Sequence, residues 1–153
     1  AMTETYVLGA RSLARLSGVK EPLVRVVKRA ISISPQDFTV QEGLRTLETQ
    51  RAYMKRGVTR TMNSKHLTGD AVDLVPWVEG TPRWEWPVIY PIAVAMRTAA
   101  RAEGVALRWG GVWDRKLADL PDDADGIKRA VAEYCVRHPG PDFLDGPHYE
   151  LIS

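Results

Sequence analysis

Ser64-Lys65-His66-Leu67-Thr68-Gly69-Asp70-Ala71-Val72-Asp73-Leu74-Val75-Pro76-Trp77-Val78 is the stretch that decides how this chain folds and where its chemistry lies. From Asp70 to Val78 the side chains alternate as those of a strand do, with Val72 and Leu74 on one side and Ala71, Asp73 and Val75 on the other. His66 stands just ahead of a turn at Gly69. A chain that bends there can bring the imidazole and the Asp73 carboxylate to one point, and nitrogen and oxygen donors at about 2.0–2.2 Å are what zinc accepts. Taken alone the pair is weak evidence, because a histidine beside a carboxylate is usually an ordinary hydrogen-bonded pair.

A second stretch, Asp145-Gly146-Pro147-His148-Tyr149-Glu150, closes the chain with another histidine among carboxylates. His148 can supply a third ligand, leaving one position for water as catalytic zinc sites require. Asp145 lies across a Gly-Pro turn from it, placed to reach that water without binding the metal. Glu150 falls on the same side of a strand as His148, which makes it either a rival for the base or the acceptor that orients the imidazole. Pro147 has no amide proton, so the strand is expected to start at a sheet edge or just after the turn.

Outward from these segments the chain alternates helix and strand signals. Leu8 to Leu16 has helical spacing with Leu13 and Leu16 sharing a face, and Pro22 to Ile33 is amphipathic with Pro22 in its first turn. Phe38-Thr39-Val40 reads as a short strand, Thr46 to Arg56 as a helix stopped by Gly57, and Trp86 to Ala102 as the longest helix, with Gly104 as its C-cap. Val105 to Trp109 reads as a strand ending in Gly110-Gly111, Asp123 to Val136 as a helix and Tyr149 to Ile152 as a final strand. Pro121-Asp122-Asp123 and His138-Pro139-Gly140-Pro141-Asp142 are loops by composition. The pattern implies one α+β domain over residues 2–153, Ala1 reading as a cloning scar.

The bulk figures agree. A chain of 153 residues, 44% hydrophobic and 26% charged, suits a single soluble domain. No apolar run approaches the ~20 residues that cross a bilayer, which excludes membrane insertion by a helix. A net charge of +2 could ease approach to an anionic wall. It is too small, and no basic stripe with interleaved aromatics accompanies it, for nucleic acid. Cys135 has no partner for an internal disulfide and reads as a small buried hydrophobe. Trp84, Trp86 and Trp109 read as core or cleft wall, and His138 as exposed.

Ser64-x-His66-x-x-Gly69-x-Ala71-x-Asp73 followed by Asp145-x-x-His148-x-Glu150 resembles the L-alanyl-D-glutamate peptidases found among phage endolysins, relatives of the VanY-type D-alanyl-D-alanine carboxypeptidases. Glu42-Gly43-Leu44-Arg45-Thr46-Leu47-Glu48-Thr49-Gln50 and Trp109-Gly110-Gly111 fit the same pattern, so the likeness runs from about Leu8 to Ile152. It implies a small antiparallel sheet carrying one zinc ion with helices packed around it. It also implies His66, Asp73 and His148 as ligands, Asp145 as catalytic base, Arg45 facing the substrate and Ser64 donating to it.

The implied substrate is bacterial peptidoglycan, and the implied enzyme a monomer without a separate wall-binding domain. With no secretory signal visible, it would wait in the host cytoplasm for a holin. A D-alanyl-D-alanine carboxypeptidase or dipeptidase with the same chemistry is the nearest alternative, and a non-catalytic wall-binding module a more distant one. Trp113 to Pro141 departs from the pattern as a charged, helix-like insert whose role the sequence leaves open.

Overall fold

The computed structural model describes residues 5–58, 62, 64–140 and 143–152. Ala1, Met2, Ser153 and the Pro141-Asp142 part of the expected loop lie outside them. The described elements are α1 (Ala10–Arg15), α2 (Glu21–Ile33), β1 (Phe38–Glu42), α3 (Leu47–Lys55), β2 (Ala71–Val78), β3 (Thr81–Pro82), α4 (Trp86–Glu103), β4 (Leu107–Gly110), β5 (Val112–Lys116), α5 (Ala124–Arg137) and β6 (Asp145–Leu151). The antiparallel sheet has the order β1-β2-β6-β4-β5, with β3 paired to β2. The α+β expectation holds.

The core lies between this sheet and α2, α4 and α5. From α2 come Leu23, Val24, Val26, Val27, Ala30 and Ile31, all buried. Facing them on α4 are Ile89, Ile92, Ala93, Met96, Ala99 and Ala100. Each large aliphatic side chain removed from water in this way contributes on the order of 1.5–3 kcal/mol. Gly104 ends α4 in the left-handed conformation, as its position after the apolar run implied.

The face of α1 differs from expectation. Leu16 is buried, but its companion is Ser12, and Leu13 is 47% exposed. The Ser12 hydroxyl accepts from the Val40 amide at 3.0 Å, and Arg15 Nη1 donates to the Val40 carbonyl at 3.0 Å. β1 is an edge strand, and this helix satisfies the outward N–H and C=O of its Val40.

Two corrections concern the sheet. The last strand starts at Asp145, not Tyr149, and lies in the middle of the sheet between β2 and β4. Pro147 is accommodated there by an irregularity: Trp109 pairs with Tyr149, while the next residue, Gly110, pairs with Asp145. The missing amide proton falls in that offset, where no ladder bond is demanded.

The insert from Trp113 is also not helical throughout. It begins with β5, whose Asp114 and Lys116 point to solvent while Val112 is buried. A charged edge strand of this kind carries too little apolar alternation to be told from a polar helix. Cys135 is exposed, contrary to expectation, and Trp84 is 58% exposed. No helix among the described residues is long and apolar enough to cross a membrane.

Candidate metal centre and active site

His66 sits in a short 3-10 turn, Lys65–Thr68, built by its neighbours. Ser64 caps the turn, its hydroxyl accepting from the His66 amide at 3.2 Å. Gly69 ends it with φ +76°, and a Cβ there would meet the Gly18 carbonyl oxygen at 2.3 Å. Only glycine meets both demands at once. The Arg45 amide donates to the His66 carbonyl at 2.9 Å, tying this turn to the loop after β1.

Asp73 and His148 come from the sheet itself. They are direct cross-strand partners on β2 and β6, so antiparallel pairing alone places their side chains side by side. His148 Nδ1 lies 3.1 Å from Asp73 Oδ1, and its Nε2 lies 2.9 Å from Glu150 Oε1. His66 approaches from the turn, with Nε2 at 3.3 Å from the same Asp73 oxygen. One ligand atom from each of the three residues falls within 4.8 Å of the others.

The donor set fits a metal ion on its own chemistry. His66 Nδ1 is 2.8 Å from the Gly43 carbonyl, to which it must donate, leaving Nε2 as a lone pair. That Nε2 is buried and has no hydrogen-bond partner, yet it faces a carboxylate oxygen. Two acceptors turned toward one another are a costly arrangement that a cation resolves. Glu150 takes the far nitrogen of His148 in the same manner that Gly43 takes that of His66, orienting each ring toward the centre.

Electrostatics follow the geometry. Asp73 is held well below the usual carboxylate range: burial opposes this, but the hydrogen bond from His148 and the nearness of the His66 ring outweigh it. Burial likewise works against a charged His148, yet the bonds to Asp73 and Glu150 push it up to about 9. Asp145 is raised, first by burial and then by the Asp73 charge, while His148, His66 and Arg45 pull the other way. All four of the groups that act on Asp145 belong to this site. A carboxyl with a raised pKa beside side chains able to hold a metal is a candidate for proton transfer.

Arg45 lies between β1 and α3 and is clamped. Its Nε donates to Glu42, its Nη1 to Gln50 Oε1 at 2.6 Å and to Ser64 Oγ at 3.4 Å, and its guanidinium stacks 4.7 Å from the Tyr53 ring centre. Gln50 is fully buried. Glu42 and Gln50 bound the motif quoted from the sequence, but their hold on Arg45 is not legible there, and Tyr53 carries no sequence signal of its own. Helical spacing puts Gln50 and Tyr53 on one face of α3, a signal that carries meaning only once Arg45 is known to lie against it.

Trp109-Gly110-Gly111 also acquires a physical reason. Trp109 is buried and its indole N–H donates to the Gly146 carbonyl at 2.7 Å. A Cβ on Gly110 would strike the Asp145 carbonyl oxygen at 2.0 Å, so glycine is what lets β4 and the Asp145 segment touch. The structure therefore brings His66, Asp73 and His148 into one cluster, with Asp145 and Arg45 in electrostatic contact with it and Ser64 against Arg45.

Known proteins share this arrangement of sequence. The model of the phage L-alanyl-D-glutamate peptidase family matches residues 4–152. The chain belongs to that family. A member from Escherichia phage T5, an L-alanyl-D-glutamate peptidase, is 30% identical over 152 residues, 97% of this chain and 99% of that one. The protein of the same name from Listeria phage A118 is 29% identical over 115 residues, 73% of this chain and 39% of that one. Among solved structures, the L-Ala D-Glu endopeptidase ChiX of Serratia marcescens matches with a TM-score of 0.72 and 36% identity. It covers 95% of this chain and 90% of that one. The resemblance drawn from the two motifs is thus a family relationship along the whole domain.

Proposed function

We propose that this protein is a zinc-dependent endopeptidase of bacterial peptidoglycan that hydrolyses the bond between L-alanine and D-glutamate in the stem peptide. The observation that carries the reading is the convergence of His66, Asp73 and His148 with the raised carboxyl of Asp145 beside them. Membership of the family and the names of its relatives support the bond assigned.

His66 Nε2, Asp73 and His148 Nδ1 are the groups that would hold zinc. Bound there, it would polarise the scissile carbonyl and acidify a water molecule. Asp145 takes the proton from that water as its oxygen attacks the carbonyl carbon of L-alanine. The same carboxyl then gives the proton to the departing nitrogen of D-glutamate as the C–N bond breaks. Arg45 cannot lose its charge and is fixed by Glu42 and Gln50, so it holds the oxyanion or a substrate carboxylate without reorganising. Ser64 offers its hydroxyl to the substrate. Glu150 is engaged with His148, which supports Asp145 over Glu150 as the base. Family kinship supports an enzyme held in the host cytoplasm until a holin-type lesion admits it to the wall.

The test is digestion of purified peptidoglycan, with chelator and with zinc restored, read by mass spectrometry. New peptides starting at D-glutamate, lost with chelator and regained with zinc, are expected. Release of terminal D-alanine alone would move the protein to the carboxypeptidases. No cleavage by a folded, zinc-loaded sample would make it a binding module.

A further inference from the structure

We infer that Trp113 positions the candidate base, its indole N–H gripping the main chain of the segment that presents Asp145 to the metal centre. The inference rests on the proposed function and extends it to the stretch whose role the sequence left open.

β5 brings the Trp113 ring to 5.5 Å from the His148 ring, centre to centre and tilted by 43°. The indole is a wall of the site on that side. Its Nε1 donates to the Phe143 carbonyl at 2.7 Å, just ahead of Asp145 in the chain. Just after Asp145, Trp109 Nε1 donates to the Gly146 carbonyl, also at 2.7 Å. Two indole donors from neighbouring strands therefore hold the backbone on either side of one carboxylate. Phe143 is 71% exposed, so its own burial does not anchor the segment, and Leu144 is a partly buried residue at the margin of the core.

β5 is itself pinned from outside. Asp114 receives Arg137 through two bonds, each 2.9 Å, and His138 Nε2 lies 3.1 Å from it, both partners at the end of α5. The chain from β5 to α5 thus forms a brace behind Trp113. A base must stand within hydrogen-bond reach of the proton it takes, and a displacement of about 1 Å can cost on the order of a hundredfold in rate. Trp113 is the partly exposed half of the grip and the half that can be altered without opening the core.

The experiment compares the zinc-loaded wild type with Trp113→Phe, which keeps an aromatic wall against His148 and loses the donor. Expected is a fall in kcat of about tenfold or more, with KM and zinc affinity each within about twofold. In the metal-free variant, amide hydrogen exchange at Leu144 and Asp145 should quicken by about tenfold while the β2–β6 ladder stays protected.

Should Trp113→Phe fail to fold, benzothienylalanine at position 113 keeps the bicyclic shape and removes the N–H alone. Unaltered kcat and exchange would overturn the inference. So would a loss confined to zinc affinity, which would make the indole a packing wall. A wild type without peptidase activity would sink the proposed function instead, and exchange would still decide whether Trp113 holds the segment.

Discussion

At the scale of single residues the account turns on which carboxylate moves the proton. Asp145→Asn should lower kcat by about a hundredfold to ten-thousandfold, the usual worth of general acid–base catalysis, while zinc still binds one to one. Loss of zinc along with activity would make Asp145 a ligand. His148 gives a second prediction, for the metal-free protein. Its folded pKa of about 9 lies above its ordinary value of 6.5, so the protonated form stabilises the fold. That contribution is complete below about pH 6.5 and is lost as pH rises towards 9. Urea midpoints of chelated protein should fall between pH 6.5 and 9, and His148→Gln should flatten the trend. A midpoint that climbs over the same range would refute the charge pattern drawn for Asp73, His148 and Glu150.

At the scale of elements, the turn that carries His66 depends on Gly69. Gly69→Ala imposes a left-handed conformation on alanine and drives its Cβ into the Gly18 carbonyl. Stability should fall by at least about 1 kcal/mol, and zinc affinity should fall with it because His66 rides on this turn. Thermal unfolding and zinc titration of the variant read the two effects separately; an unchanged affinity would detach the turn from the metal centre.

Legibility also varied by element. The helices of the core were readable because apolar residues recur along α2 and α4 at helical spacing, and Gly104 marks an end. β2 was readable because apolar residues flank Asp73 on both faces of the strand, Val72 and Leu74 on one and Ala71 and Val75 on the other, all buried. β5 was not, because a charged edge strand with one buried valine leaves no clear alternation. The central place of β6 was hidden by Pro147, whose cost vanishes only through an offset against β4 that pairing, not local sequence, creates. Among site residues, the cluster partners were legible from two spaced motifs and a resemblance. Glu42, Gln50 and Tyr53 contact Arg45, and Trp113 reaches the Phe143 main chain; those partners are set by the fold and not by each residue's own neighbourhood.

At the scale of the whole molecule, the sheet assembles the centre from segments far apart in the chain, so metal and fold should be coupled. A ligand that binds only the folded state stabilises it by about 4 kcal/mol at a thousand times its Kd. In a domain of this size that corresponds to a rise in Tm of roughly 10 °C. Chelator should therefore lower Tm by about that amount and abolish hydrolysis, and zinc should restore both. Recovery of activity without any change in Tm would indicate metal bound elsewhere than at the buried triad.

The most direct test of the central claim is anomalous X-ray scattering from crystals grown with zinc, collected on either side of the zinc edge. The account predicts one strong peak bounded by His66 Nε2, Asp73 and His148 Nδ1, with Asp145 near it but not bonded to it. A peak at any other set of side chains, or one that includes Asp145 among its ligands, would contradict it.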